Sequence, residues 1–148
     1  MNRIFVGESF SRSVGLLGIQ LALLAGCNSS EGPPLYPTAG RLLVDGEPAH
    51  KAQVILHPAN GRDFDRRGAR PSGITEPDGT FRISTYRPDD GAPEGDYVVT
   101  ISWPENPDSL EPSPDRLRGL FLLPERSAIK VRIEAQQNQL QTIELKTP

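Results

Sequence analysis

Residues 73–83 read Gly-Ile-Thr-Glu-Pro-Asp-Gly-Thr-Phe-Arg-Ile, and this segment predicts the architecture of the rest of the chain. Its centre, Pro77-Asp78-Gly79, is typical of a turn. Proline presets one backbone angle, aspartate can hydrogen-bond within its own turn, and glycine takes the positive φ that other residues resist. Residues 80–83 then alternate polar and apolar, as a strand with one buried face does. The segment therefore predicts a β-hairpin with further antiparallel strands packed over it.

Further strands are predicted where apolar and polar residues alternate between Gly- and Pro-rich turns. After residue 26, no apolar period of 3.6 residues persists for ten residues, so helices are not expected. The predicted strands are residues 39–44, 52–57, 96–103, 128–134 and 140–145, with a turn at 136–139. The residues predicted to face inward are Ala52, Val54, Leu56, Phe81, Tyr97, Val99, Ile101, Ile129, Val131 and Ile133. This spacing predicts an all-β fold, a seven-stranded antiparallel β-sandwich.

The N-terminal residues resemble an export signal. Residues 14–25 are almost entirely apolar or small, a length typical of a signal peptide and too short to cross a bilayer, which needs about 20 residues. The run ends in Leu24-Ala25-Gly26-Cys27, and Cys27 is the only cysteine of the chain. This tetrad resembles the bacterial lipobox, in which small residues enter a protease cleft and the cysteine takes a diacylglycerol before cleavage.

The lipobox resemblance implies that residues 1–26 are a lipoprotein signal peptide and that Cys27 is lipidated. Residues 27–38, rich in proline, glycine and serine, are predicted as a flexible tether. In such lipoproteins an aspartate after the cysteine favours the inner membrane, so Asn28 implies the outer membrane of the cell envelope, on its periplasmic or surface side. An ordinary secretory peptide, or an apolar helix with a buried thiol, is the alternative interpretation.

Composition restricts the partners of the mature chain. Residues 1–26 contain two arginines and one glutamate, so their removal changes the net charge from −3 to −4. This mild acidity argues against nucleic acid as a partner. With Cys27 acylated, no thiol remains for a disulfide, a metal site or a nucleophile. The expected partners are the membrane, held through the acylated Cys27, and an envelope protein or a glycan.

The order of the motifs resembles that of carboxypeptidase regulatory-like domains, and the resemblance covers residues 39–148. It implies an immunoglobulin/transthyretin-like (prealbumin-like) sandwich. The resemblance implies no catalytic activity, because in the carboxypeptidases that contain such a domain the zinc chemistry belongs to a separate domain. Glu76 departs from the pattern, which often has aspartate there. The matching pieces are Gly40 to Val44, Asp45-Gly46-Glu47-Pro48, residues 52–58, residues 73–81, residues 95–101 and the closing Ile143-Glu144-Leu145.

No catalytic residue, metal site or cofactor is predicted. His50 and His57 stand on either side of one strand, without a serine or an acid at a suggestive spacing, and His57 is expected to face solvent or cap the strand. The acids of residues 89–96 allow a calcium site, although a solvated loop is the simpler interpretation. The four arginines of residues 59–72 indicate either a solvated loop or a basic rim for an anionic polymer.

The sequence thus predicts a non-enzymatic, lipid-anchored cell-envelope β-sandwich that acts as a binding or scaffolding module. Its expected contact surfaces are the exposed strand edges and the loops 59–72 and 104–127. The alternative is a carbohydrate-binding module for envelope or extracellular glycans, with Trp103, Tyr86 and Phe64 as stacking residues.

The long loop 104–127 contains two local signals. Asp115 and Gly119 are predicted to cap and end a single helical turn. Residues 120–123, Leu-Phe-Leu-Leu, are apolar and are expected to cover an open end of the sheet.

Overall fold

The computed structural model describes residues 32–148. The predicted signal peptide and lipobox, with Leu24, Ala25, Gly26 and Cys27, lie outside the described residues. Within residues 32–148 the structure contains no helix with the length and apolar character that a membrane span requires. The strands are β1 (Leu35–Tyr36), β2 (Thr38–Val44), β3 (Glu47–Pro48), β4 (Gln53–Pro58), β5 (Ser72–Ile74), β6 (Thr80–Arg82), β7 (Ala92–Pro93), β8 (Gly95–Ser102), β9 (Lys130–Ile133), β10 (Asn138–Gln139) and β11 (Ile143–Leu145), with a 3₁₀ helix at Pro124–Arg126.

The strands form three sheets, and the described residues are essentially all-β, as predicted. β2 is the centre of a five-stranded sheet, where it pairs antiparallel with β3 and β6. A four-stranded antiparallel sheet has the order β5-β4-β8-β9, and β1 pairs with β7. β10 and β11 pair parallel with β2, which departs from the predicted antiparallel arrangement. The chain reaches them from β9 in the other sheet, and such a crossover allows parallel pairing, whereas a tight hairpin does not.

Several boundaries differ from the predicted ones. The predicted strand 140–145 shortens to β11, and the predicted turn 136–139 contains β10. β1 falls among residues 27–38, which were expected to form a tether, and it pairs with β7 just before β8 begins. β1 and β10 are only two residues long, too short to show alternation, so their pairing is not visible in the sequence.

The Pro77-Asp78-Gly79 turn is present, but its two arms belong to different sheets. Gly79 has φ +80° and donates its N–H to Glu76 O at 2.9 Å, while Asp78 Oδ1 accepts the N–H of Thr80 at 2.9 Å. β5, before the turn, pairs with β4, whereas β6, after it, pairs with β2. The segment is therefore the corner at which the chain passes from one sheet to the other.

Buried Thr75 attaches this corner to the residues that precede β4. Its hydroxyl accepts the N–H of Ala52 at 2.8 Å and donates to the carbonyl of Ala49. Its backbone N–H donates to Ala52 O, and its carbonyl accepts the N–H of Lys51, both at 2.9 Å. Thr75 is only 2% exposed, so water cannot replace these partners. The corner is thus held by buried hydrogen bonds as well as by apolar packing.

The two larger sheets contribute to one hydrophobic core, an arrangement consistent with a β-sandwich. Phe81, Ile133 and the predicted inward faces of β4 and β8 are buried, as expected. Val131 and the preceding Ile129 are only partly buried, because Val131 lies in β9, the edge strand of its sheet, and Ile129 lies directly before that strand. The core consists of Leu42, Val44, Ala49, Ala52, Val54, Leu56, Phe81, Ile83, Ala92, Tyr97, Val99, Ile101, Leu117, Ile133, Ile143 and Leu145.

The expectation that residues 120–123 cover the sheet is correct for Phe121 alone. Phe121 packs against the core, and its carbonyl accepts the N–H of Ile101 at 2.9 Å. The three leucines of this segment are exposed by between 43% and 48%. The segment lies in a run of backbone turns, so only the side chain that faces the sheet packs against the core.

The hydroxyl of Thr75 provides a test of the corner. We expect Thr75→Val to lower the free energy of unfolding by about 2–4 kcal/mol, because it leaves two buried backbone groups without partners. Thr75→Ser keeps the hydroxyl and loses one methyl group, so it should cost only about 1 kcal/mol. Urea denaturation of both variants measures the difference, and equal losses would contradict the role of the hydroxyl.

Candidate functional site

Trp103, a predicted ligand-contact residue, lies just after β8 in a cleft of about 390 Å³. Its Nε1–H donates to the carbonyl of His50 at 2.9 Å, and the guanidinium carbon of Arg116 lies 4.9 Å from the centre of the indole ring. The ring is partly buried against the core. The only polar atom of the indole and one of its faces are therefore engaged within the protein, which leaves a reduced surface for a stacked sugar.

Asp115 organises the loop beside Trp103. Its Oδ1 accepts the N–H of Trp103 at 2.6 Å, and its Oδ2 accepts the N–H of Gly119 at 2.8 Å. Gly119 has φ +73°. The predicted helical turn is absent, because residues 116–120 form a hydrogen-bonded turn. Asp115 accepts the N–H of Gly119 within that turn and does not cap a helix. The cleft is completed by polar residues of both charges, namely Asp45, Glu105, Arg116, Arg118 and Thr147.

Tyr86 and Phe64 lie elsewhere, at the loop 59–72. The hydroxyl of Tyr86 donates to Asp65 Oδ2 at 2.6 Å. Partial desolvation together with this bond raises the pKa of Tyr86 to about 12, while the same bond lowers the pKa of Asp65. Phe64 lines a separate cleft of about 580 Å³ that also includes Tyr97. The structure therefore places Phe64 and Trp103 in different clefts, and the three aromatic residues do not share one surface.

The acidic loop 89–96 is held by the chain itself. The carboxylate of Asp90 accepts three backbone N–H groups, from Thr85, Tyr86 and Arg87, at 2.6 to 3.0 Å. Asp96 pairs with Arg132 at 3.0 Å. Within residues 32–148 no three His, Cys, Asp or Glu side chains are grouped so that they could hold a metal ion.

Several charged side chains of the loop 59–72 also bond to other residues of the same loop. Arg70 forms an ion pair with Asp63, and Asp65 Oδ1 accepts the N–H groups of Arg67 and Ala69 at 3.0 and 3.1 Å. These contacts stabilise the local fold of the loop. The four arginines of the loop are all exposed, and the positive charge of Arg70 is paired with Asp63.

A polar pair that the sequence did not reveal joins β4 to β8. His57 Nε2 lies 2.8 Å from the hydroxyl of Thr100. The strand register places His57 opposite Val98, so the contact is the diagonal one between adjacent strands. The expectation that His57 faces solvent or caps the strand is wrong in this respect, since the ring is half-buried and bonded to a buried threonine. The alternation of polar and apolar residues indicated which face of β4 and of β8 is outward, but not that the two strands are neighbours.

The environment of His57 favours the neutral imidazole. Burial, and secondarily the positive charge of Arg70, lower the pKa of His57, while Glu125 acts weakly in the opposite sense. Thr100 is only 4% exposed, and neither residue lines the clefts described in this section. The geometry fits a cross-strand structural contact better than a nucleophile and its base.

A groove of about 660 Å³ follows the corner between the two larger sheets. It is bounded by β5 on one side and by β2 and β6 on the other, and the exposed Ile74 stands at its edge. Its lining mixes hydrogen-bonding groups of both charges, namely Gln53, Glu76, Arg82, Asp89 and Gln139. A groove of this kind suits a polar or peptide-like ligand better than a purely apolar one.

Comparisons with known proteins give little support to any function. No family model matches the sequence, and no curated protein matches it. Among solved structures, the crystal structure of a 9R-lipoxygenase from Cyanothece PCC8801 aligns with 76% of this chain at 16% identity and a TM-score of 0.37. The alignment covers 16% of the lipoxygenase chain. A likeness this weak carries no argument about fold or activity.

The lowered pKa of His57 predicts a pH dependence of stability. Below the unfolded-state value of about 6.5, the unfolded chain takes up a proton that the folded chain resists, so the free energy of unfolding should fall as the pH decreases from about 7 to about 5. His57→Gln should flatten this slope, while His50→Gln should retain it because His57 is still present. Urea denaturation between about pH 5 and pH 7 measures the slope of the free energy of unfolding against pH. An equally steep slope in His57→Gln would refute its assignment to His57.

Proposed function

We propose that this chain is a lipid-anchored protein of the cell envelope whose β domain acts as a non-enzymatic binding or scaffolding module. The observation that carries the proposal is the tetrad Leu24-Ala25-Gly26-Cys27. It follows an apolar run of signal-peptide length and contains the only cysteine of the chain. Two or more acyl chains at Cys27 would hold the protein stably at a membrane. Asn28 favours the outer membrane, on the periplasmic or surface side.

We further propose that the β domain is a seven-stranded immunoglobulin/transthyretin-like sandwich of the carboxypeptidase regulatory-like kind. Along β2, Ala39 pairs with both Arg82 and Gln139, and Leu43 pairs with both Pro48 and Glu144. The N–H and the carbonyl of Leu42 point to the same side of β2, and they bond to Gly79 and Ala49. β3 and β6 therefore share that side of β2, while β10 and β11 share the other. If β3 and β6 are counted as one interrupted strand, and β10 and β11 as another, the sheet of β2 has three strands. With the four strands of the second sheet the total is seven.

The anchor and the domain are close in sequence. Eight positions separate Cys27 from Leu35, the first paired residue of the described part of the chain, and a fully extended chain of that length spans at most about 29 Å. A domain on such a tether stays within reach of the bilayer and of other proteins attached to it. This short reach supports a role at the membrane surface, with the corner groove as a candidate site for an envelope partner.

The two alternatives have less support. A glycan-binding surface would need aromatic rings that are free and close together, whereas the indole of Trp103 is engaged by His50 and Arg116. An enzyme would need a nucleophile or metal set that converges in a cleft. The pair of His57 and Thr100 lies outside the clefts described above, so it lends no weight to that alternative.

Replacement of Cys27 tests the anchor. In a Gram-negative host grown with radiolabelled palmitate, the parent chain should incorporate label and sediment with the outer membrane. Cys27→Ser should remain unprocessed and unlabelled, because the thiol that accepts the diacylglycerol is missing. Ser29→Ala, which leaves the tetrad unchanged, is the matched control and should behave as the parent does. Palmitate on Cys27→Ser would exclude the proposed lipidation site.

A further inference from the structure

An apolar patch projects from the side of the β domain. It consists of Leu120, Leu122 and Leu123, which are 46%, 43% and 48% exposed; we call it the leucine patch. Isolated exposed leucines are common on protein surfaces, but three within four residues concentrate exposed apolar area in one turn, and concentrated apolar area is a feature of interaction sites. The core does not need these side chains, since Phe121 alone of this segment packs against it.

Local hydrogen bonds keep the leucine patch exposed. Leu120 N–H donates to Leu117 O at 3.1 Å, and the carbonyl of Leu123 accepts the N–H groups of Arg126 and Ser127 at 3.0 and 3.1 Å. Leu117 itself is fully buried. The patch is therefore presented by a bonded turn that is anchored in the core at both Leu117 and Phe121.

The leucine patch is flanked by cations. Residues 116–126 contain three arginines and one glutamate, a local excess of two positive charges in a chain whose net charge is −3. Arg118 and Arg126 are exposed, and neither takes part in an ion pair within residues 32–148. Arg116 is also exposed and lies over Trp103. Exposed leucines bordered by arginines are the surface chemistry that enters the headgroup region of anionic membranes.

We propose that the leucine patch docks on the surface of a bilayer that carries anionic lipids. The leucines enter the boundary between headgroups and acyl chains, while Arg118 and Arg126 lie near the lipid phosphates. A second copy of this chain fits less well, because a two-fold contact through the same patch would bring like charges together. The inference concerns the β domain itself and goes beyond the proposed anchor at Cys27.

The test uses the full chain with Cys27→Ser, so that an introduced cysteine is the only thiol and the outcome is independent of lipidation. Leu122→Cys carries a polarity-sensitive fluorophore. Gln137→Cys is the matched control, because Gln137 is exposed and lies far from the leucine patch. Gln137 follows β9, whose end pairs with Gly95 at the start of β8. Phe121, within the patch segment, bonds to Ile101 near the other end of β8. These two ends of β8 are about 20 Å apart.

The labelled chains are reconstituted into phosphatidylcholine vesicles that contain about 30 mol% phosphatidylglycerol. We expect a blue-shifted emission at position 122, with quenching by brominated lipids, and neither effect at position 137. The signal at position 122 should weaken in vesicles of phosphatidylcholine alone and in the Arg118→Gln/Arg126→Gln background. Leu123→Cys is a second probe position that should give the same result if the label at position 122 disturbs the turn.

Four results would overturn the proposal. They are a water-like emission at both leucine positions, failure of the chain to sediment with the vesicles, and quenching that does not depend on phosphatidylglycerol. The fourth is a blue shift without vesicles that grows with protein concentration, which would assign the patch to a second copy of the chain. Because Cys27 is replaced throughout, none of these results bears on whether the natural chain is lipidated.

Discussion

The buried hydroxyl of Thr75 is the contact on which the arrangement of the two larger sheets depends. It satisfies the N–H of Ala52 and the carbonyl of Ala49 at the point where the chain turns from one sheet to the other. A buried donor or acceptor without a partner costs about 1–3 kcal/mol. Separation of the corner from the segment 49–52 is therefore opposed by the free energy of leaving these groups unpaired. The sheets are therefore joined at this point by directional bonds, in addition to the non-directional packing of the core.

The position of Trp103 follows from the same segment. His50 lies between Ala49 and Lys51, both of which bond to Thr75, and its carbonyl accepts the indole N–H of Trp103. Trp103 in turn shares Asp115 with Gly119, which fixes the turn that precedes the leucine patch. A series of bonded contacts thus runs from the corner between the sheets to the exposed leucines, and it explains why an apolar surface can be held in a defined place on a long Pro-rich loop.

The clefts and the leucine patch divide the surface by chemistry. The corner groove and the Trp103 cleft carry charges of both signs, which suits a polar ligand or a protein partner. The leucine patch combines apolar side chains with an excess of arginine, which suits a lipid surface. The two kinds of surface can therefore serve different partners.

The sequence by itself determined the buried faces of β4 and β8 and the turn at Pro77-Asp78-Gly79. Each of these depends on residues close together in the chain, where alternation, φ preference and side-chain hydrogen bonds act locally. Only the tertiary structure decided that β5 and β6 belong to different sheets, that β10 and β11 run parallel to β2, that His57 meets Thr100 and that the leucines stay exposed. Alternation states which face of a strand is buried, but it does not name the strand beside it, because that choice depends on the packing of the whole core.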